Sequence, residues 1–166
     1  MSKIAIITDT DSSLPLDLAR KFNIVEVPII IQFGDDSFRD VYQINNQELF
    51  SRIDREGKLP TTAAPSAGQF AEAFKAAFEK GVDSILCFTI SSEMSATYTS
   101  ARQAVEMIPG KRIEVVDTRS LSMGQGFMVL AAAEAVAHGA SIEKAIAAAE
   151  DVRKRSYLFG ALATLK

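Results

Sequence analysis

Three short apolar runs constrain this chain more than anything else in it: 3-KIAIIT-8, 83-DSILCFTI-90 and 112-RIEVVD-117. Each is short, rich in β-branched residues and bounded by turn formers, so each reads as a buried strand. Each then passes directly into a hydroxyl-rich turn, and helix-forming sequence follows. Strands that alternate with helices pair in parallel and are covered by those helices. The expected fold is α/β: three layers, a largely parallel sheet and helices on both faces.

The remaining segments fit around that frame. Residues 14-LPLDLARKF-22 read as a short helix with Pro15 in its first turn. The stretch 24-IVEVPIIIQF-33 is β-rich, with Pro28 expected at an edge or bend. Next, 34-GDDSFRD-40 suits a turn into a returning strand. Residues 46-NQELFSRIDREG-57 form a helix capped by Asn46 and stopped by Gly57. A loop, 58-KLPTTAAPSAG-68, leads to a helix over 69–81 whose Phe70, Phe74 and Phe78 form a core stripe. After the third strand, the turn 118–126 leads to a helix over 127–139. Ser141 caps a last helix, 142–155, and residues 156–166 begin as a strand.

Composition removes several classes of function. The 166 residues suffice for one domain with a real core. Net charge is -3 and no basic stretch stands out, so a nucleic-acid footprint is missing. No apolar run approaches a membrane span, so no stable membrane insertion is expected. Residues 1–20 lack a signal-peptide layout. One cysteine, Cys87, rules out an intrachain disulfide and suits a reducing cytoplasm, the expected location. With one cysteine and one histidine, Cys/His metal clusters are impossible. His138 falls in the last turn of a helix ended by Gly139, where a cap role suits it.

Four hydroxyl-rich turns remain: 8-TDTDSS-13, 61-TTAAPS-66, 89-TISSEMSATYTS-100 and 117-DTRSLS-122. Three follow the buried strands and precede helices. In an open parallel sheet such turns share the carboxyl edge, where ligands bind. Free N–H groups at helix starts favour an anion there. Neither a Gly-rich dinucleotide fingerprint nor a phosphate-binding G-x-x-x-x-G-K-[ST] loop is present. Neutral Ser and Thr donors suit one modest charge, a carboxylate or a phosphate monoanion. The plainer reading is N-capping at every turn.

The first turn admits a second chemistry. An apolar strand running into D-x-D-x-[ST]-L is how haloacid-dehalogenase-type phosphatases present a nucleophilic aspartate. Asp9 would then attack a phosphoester and Asp11 would serve as acid/base, with Mg²⁺. The required lysine and late acidic pair find no convincing match. Asp35 and Asp36 come early, Glu150 and Asp151 fall in a late helix, and Lys111 stands alone.

Taken in order, the four turns resemble the DegV family. The family carries T-D-S-[ST]-x-D-L-P after its first strand; this chain has 8-TDTDSSLP-15. It carries T-S-Q-P-S before a helix, here 62-TAAPS-66, and S-S-x-L-S-G-T-Y before the next, here 91-SSEMSATY-98. A V-x-D-[ST] turn with downstream Ser and Gly corresponds to 116-VDTRSLSMGQG-126. The resemblance implies a noncatalytic carrier without cofactor or metal. It would bind a long-chain fatty acid and present it to a separate fatty acid kinase, which phosphorylates the carboxylate. By the same analogy Thr62, Ser92, Ser95 and the Ala96 N–H hold the carboxylate. Asp9, Thr10 and Asp117 organise the binding edge. Ile29, Ile31, Phe88, Ile90, Met94, Met123 and Phe127 are the candidates for the acyl tail.

This chain departs from the family pattern at Ala63, Ala64 and Ala96, which stand where the family has Ser, Gln and Gly. A methyl group at Ala96 interferes if that backbone needs φ > 0. Family members also continue into a second domain that brings an Arg and a His to the ligand head. The expectation is therefore an α/β lipid-binding domain over 1–155. Residues 156–166 would start the connection to that second domain, and the open pocket would favour self-association.

Overall fold

The computed structural model describes residues 3–161. In chain order they form β1 (Ile4–Asp9), a single 3-10 turn (Thr10–Ser12), α1 (Leu16–Lys21), β2 (Val25–Val27), β3 (Ile30–Phe33) and β4 (Asp36–Arg39). Then follow α2 (Asn46–Glu56), β5 (Thr61–Ala63), α3 (Ala67–Glu79), β6 (Ser84–Thr89), α4 (Thr97–Glu106), β7 (Arg112–Asp117), α5 (Ser122–Ala137) and α6 (Ile142–Arg155). The three sequence-predicted strands are β1, β6 and β7. With β2 they form a wholly parallel sheet in the order β2-β1-β6-β7.

Alternation along the strands assigns the two covering layers. Ile6, Leu86 and Phe88 face α1, α5 and α6, where Met128, Val129, Ala132, Ala145 and Ala149 fill the interface. Ile7, Ile85, Cys87 and Ile113 face α3 and α4 and meet Phe70, Phe74, Ala101 and Ala104. A strand buried on both faces reads as an unbroken apolar run, and every residue of β6 is buried. The Phe stripe is core, as its spacing predicts: Phe70 and Phe74 are fully buried and Phe78 packs at the margin. Cys87 is a free, buried thiol inside β6. His138 caps α5, its Nδ1 2.8 Å from the Glu134 carbonyl, before Gly139 at φ 81.

A second sheet, antiparallel and ordered β4-β3-β5, projects from the first. Pro28 falls in the break between β2 and β3, where its missing N–H costs no ladder bond. The predicted hairpin is β3–β4. The predicted loop 58–68 is partly wrong: Thr61–Ala63 is β5, paired so that Thr62 stands opposite Ile31. Three residues are too few to show a period, and only pairing with β3 makes them a strand. Arg52 docks α2 on this sheet. Its guanidinium lies 4.5 Å from the Phe33 ring centroid and bonds both Asp36 and Glu56 at 2.6 Å.

Other boundaries differ from the sequence reading for local reasons. Asn45, not Asn46, caps α2; its extended backbone lets its side chain accept from the Glu48 N–H at 2.9 Å. Ser66 and Gln69 form a reciprocal capping box, so α3 starts at Ala67. The 118–126 segment is not all turn, since α5 begins at Ser122 and includes Gly124 and Gly126. Those glycines serve close packing inside a helix. A Cβ on Gly126 would lie 2.7 Å from the Ser12 carbonyl oxygen. Residues 156–161 are not a strand but carry no regular structure, and 162–166 lie outside the described residues.

Gly126→Ala is expected to destabilise the chain by about 1–3 kcal/mol, because backbone must shift to admit the methyl group. Gly68→Ala, in the first turn of α3 with only Ser66 Oγ at 3.7 Å, is expected to stabilise by up to about 1 kcal/mol. Urea midpoints measured at unchanged slope check both.

Candidate functional site

The carboxyl ends of β1, β6 and β7 lie side by side, with Thr8 beside Phe88 and Thr89 beside Asp117. At their centre Asp9 is fully buried. One carboxyl oxygen accepts from the Ile90 N–H at 2.9 Å, and the other accepts from Gln125 Nε2 at 2.9 Å. The same Gln125 nitrogen donates to Thr8 Oγ1 at 2.9 Å. One carboxyl group thus ties the end of β1 to the end of β6 and the start of α5. Thr10 extends the link, its Oγ1 accepting from the Ile29 N–H at 3.1 Å and so holding the β2–β3 crossing. Three non-glycine residues around these turns, Ser13, Arg119 and Ser122, have φ near +50° (52, 49 and 51°). Left-handed backbone of this kind costs energy and clusters where function constrains the chain.

Three cavities open at these strand ends; one, of about 460 Å³, is lined by Ser91, Met94, Arg119, Ser120, Leu121 and Arg153 among others, and the other two adjoin each other beside Asp11. The smaller, about 110 Å³, is lined by Asp11, Ile29, Thr62, Ala63, Ala64, Ile90, Met94 and Ser95. The larger, about 310 Å³, shares Asp11, Ile29 and Thr62 with it and adds Ile31, Leu49, Pro60 and Leu121 as apolar wall. Thr10, Ser13, Asp40, Asn46 and Ser122 supply its polar wall. The antiparallel sheet and α2 form one side of this space and the main sheet forms the other. The largest cavity is elsewhere: about 690 Å³, lined by Ala19, Arg20, Phe22, Ala73, Lys80 and Ala133 among others, around the amino-terminal half of β1.

The structure therefore gathers some of the sequence candidates and separates others. Thr62, Ser95, Ile29, Ile90 and Met94 share one cavity, and Ile31 and Thr10 line the adjoining one. Ser92 lines neither cavity; its N–H and hydroxyl both bond Asp117, at 3.1 and 2.6 Å. Phe88 is buried core beneath α5. Met123 packs against that core and Phe127 is exposed on α5. Ala96 sits at φ -73°, an ordinary right-handed conformation, so its methyl group meets no backbone strain. Ser95 Oγ accepts from the Thr97 N–H at 3.3 Å and lies 2.9 Å from Thr97 Oγ1, so it also meets the first N–H of α4, whose N-cap is Ala96. Ser13 was read only as part of a hydroxyl-rich turn and Asn46 only as a helix cap, while Gln125 and Asp40 went unnoticed as site residues in the sequence. Nothing local marks them, since each matters through partners distant in the chain.

Charge at this end of the molecule is mostly acidic and mostly suppressed. Burial raises Asp9 from 3.8 to about 7, against the Ile90 N–H bond, and the charge of Asp11 adds to the rise. Burial and then Asp40 raise Asp11 to about 6 and Glu26 to about 7. Asp40 is itself raised by burial, which outweighs bonds from the Thr10 hydroxyl and the Val41 N–H. Asp117 goes the other way. Burial pushes it up, but bonds from the Ser92 hydroxyl and the Arg119 and Ser92 N–H groups bring it below its usual value.

This geometry gives the phosphatase chemistry no support. Asp9 is sealed from both cavities with each oxygen occupied. Asp35 and Asp36 lie at the β3–β4 turn, while Glu150 and Asp151 pair with Arg153 and Arg155 on α6. Among the described residues no group of three His, Cys, Asp or Glu is placed to hold a metal ion.

Fold and site together define a parallel α/β domain with an antiparallel side sheet flanking a mixed polar and apolar cleft at the strand ends. The chain belongs to the DegV family, whose model, described as an uncharacterised protein of that family, matches residues 3–166. A DegV domain-containing protein of Caldanaerobacter subterraneus subsp. tengcongensis is 38% identical over 88% of this chain and 51% of its own length. A DegV family protein from Thermus thermophilus, described for its fatty acid binding, superposes with a TM-score of 0.83 at 37% identity, over 92% of this chain and 54% of that one. DegV of Bacillus subtilis, described as a fatty acid binding protein, gives 0.84 at 27% identity, over 93% and 55%. The chain thus spans about half the length of the curated relatives it matches. Among the described residues, no helix is long and apolar enough to cross a membrane.

The buried acids fix the sign of a pH dependence. Folding raises Asp9, Asp11 and Glu26, so the folded chain holds protons that the unfolded chain releases above about pH 4. Stability from these groups is complete below that point and is lost as pH climbs through about 6–7. Melting temperature is expected to fall between about pH 4 and 7 and to level off above that, by about 2–4 °C for each kcal/mol lost. Asp9→Asn is expected to flatten the upper part of that slope, and thermal melts across pH check it.

Proposed function

We propose that this chain forms the head-group side of a fatty-acid carrier and is not itself a catalyst. One observation supports the reading above the others: Thr62 and Ser95, from distant segments, line one cavity with Ile29, Ile90 and Met94. A fatty acid needs that pairing of hydroxyl donors with an apolar wall. In this reading Thr62 Oγ1 and Ser95 Oγ donate to the carboxyl group. The Ala96 N–H, which meets no acceptor among the described residues, joins them at the start of α4. The first methylenes lie against Ile29, Ile90 and Met94, and the chain continues along Ile31, Leu49 and Leu121. Asp9 holds the strand ends in register and touches no ligand. Ser92 and Asp117 fix the turn that carries Ser95.

The carrier would present its ligand's carboxyl group to a separate kinase in a reducing cytoplasm. The half-buried carboxyl end of the site suits that task, because a partner can reach it. Fatty-acid binding by the solved relatives supports the ligand class. Phe50, Leu59, Tyr157 and Phe159 are exposed, Phe159 at 91%, and in this reading they give the domain a face for self-association.

Native mass spectrometry with organic extraction tests the proposal, after incubation with palmitate. Bound palmitate is the expected result. Thr62→Ala and Ser95→Ala are each expected to weaken binding by roughly tenfold to a hundredfold, the equivalent of one charge-assisted hydrogen bond. Ser95→Ala is expected to cost only about 1 kcal/mol in stability, as loss of its hydrogen bond from the Thr97 N–H. Absence of any bound acyl chain would overturn the reading.

A further inference from the structure

The walls proposed to receive a carboxylate are acidic. Among the described residues neither cavity is lined by Lys, Arg or His, whereas Asp11 lines both and Asp40 lines the larger. In the smaller cavity Asp11 shares the wall with Thr62 and Ser95, the two hydroxyl groups assigned to the ligand head. Two ionised carboxyl groups sharing one site repel, and one of them then keeps a proton. A carboxyl and a carboxylate that share a proton form a short, strong hydrogen bond.

We propose that Asp11 recognises the acid head by sharing one proton with it, so that ligand binding to this chain is proton-linked. The proposal rests on the fatty-acid reading above. No covalent bond changes. One proton is taken from solvent on binding and returned on release, and the complex carries one negative charge over the two carboxyl groups.

The surroundings of Asp11 favour that proton. Burial and the charge of Asp40 already hold Asp11 up at about 6. Asp9 lies behind it at the end of β1, and Glu26 on β2 acts on the same network through Asp40. The facing groups from other elements are neutral: Thr62 of β5, Asn46 of α2, Ser122 of α5 and Ser95 before α4. Arg20 enters this network at Tyr42, and acts there beside Glu26 rather than on Asp11 or Asp40. A hydroxyl-only pocket would take the ionised acid with no proton balance. A pocket with Asp11 discriminates by protonation.

Isothermal calorimetry of palmitate binding, in two buffers of different ionisation enthalpy, reads the proton directly. Near pH 7.5 the wild-type chain is expected to take up about one proton per ligand, with affinity falling up to about tenfold per pH unit above about 6. Hexadecanol, with the same tail and a neutral head, is expected to bind with a flat profile. Asp11→Asn is expected to remove the uptake and flatten the palmitate profile, and Asp11→Ser serves if the first variant folds poorly. Palmitate bound without proton uptake, or an Asp11→Asn profile matching the wild type, would overturn the proposal and leave the carrier reading intact. Palmitate that fails to bind at any pH would overturn both.

Discussion

The arrangement of this domain depends on one buried carboxyl group. Asp9 sits at the end of β1 with no exposed surface, where an unpartnered charge is very costly. It is tolerated because the Ile90 N–H and the Gln125 amide both point at it, and because burial keeps its pKa near 7. Through those two bonds the end of β1 fixes where β6 stops and where α5 starts. The turns that follow carry Thr10, Asp11 and Ser95 and so inherit their positions from Asp9. The same bonds leave it no free face for nucleophilic chemistry. What resembles a catalytic motif is a structural keystone.

The second constraint is the small antiparallel sheet. It brings Thr62 opposite Ile31 and over the strand ends of the main sheet. Arg52 holds α2 against it by stacking on Phe33 and pairing with Asp36 and Glu56. An exposed ion pair alone is worth little; a guanidinium laid on the Phe33 and Phe38 rings and bonded to two carboxylates gives α2 a defined seat. Asn46 and Leu49 then reach the larger cavity. The cleft is therefore an interface between two sheets of different character, and its polar and apolar walls come from both.

Much of this was legible in the chain itself. Strands buried on both faces leave continuous apolar runs, so β1, β6 and β7 stood out, and their turns had to share an edge. Ser141, Gly57 and Gly139 marked helix ends correctly. What escaped was what depends on partners far along the chain. Three residues of β5 have no signature without β3. Gln125 looks like a turn residue between two glycines, yet it is fully buried and holds Asp9 across 116 positions. Asn45 and Asn46 are equivalent as letters, and only backbone angle decides which one caps. Among the residues grouped by family resemblance, Thr62, Ser95, Ile29, Ile90 and Met94 converge, whereas Ser92 turns to Asp117 and Phe88 stays in the core.

The central claim is that ligand meets this chain at the cleft between the sheets rather than in the larger groove around the start of β1. Amide chemical-shift mapping on isotope-labelled chain, titrated with palmitate, decides between them. The account requires the largest shifts at Asp11, Ile29, Thr62, Ala64, Ser95 and Ala96. Shifts concentrated at Ala19, Phe22, Ala73 and Ala133, with the cleft unmoved, would contradict it.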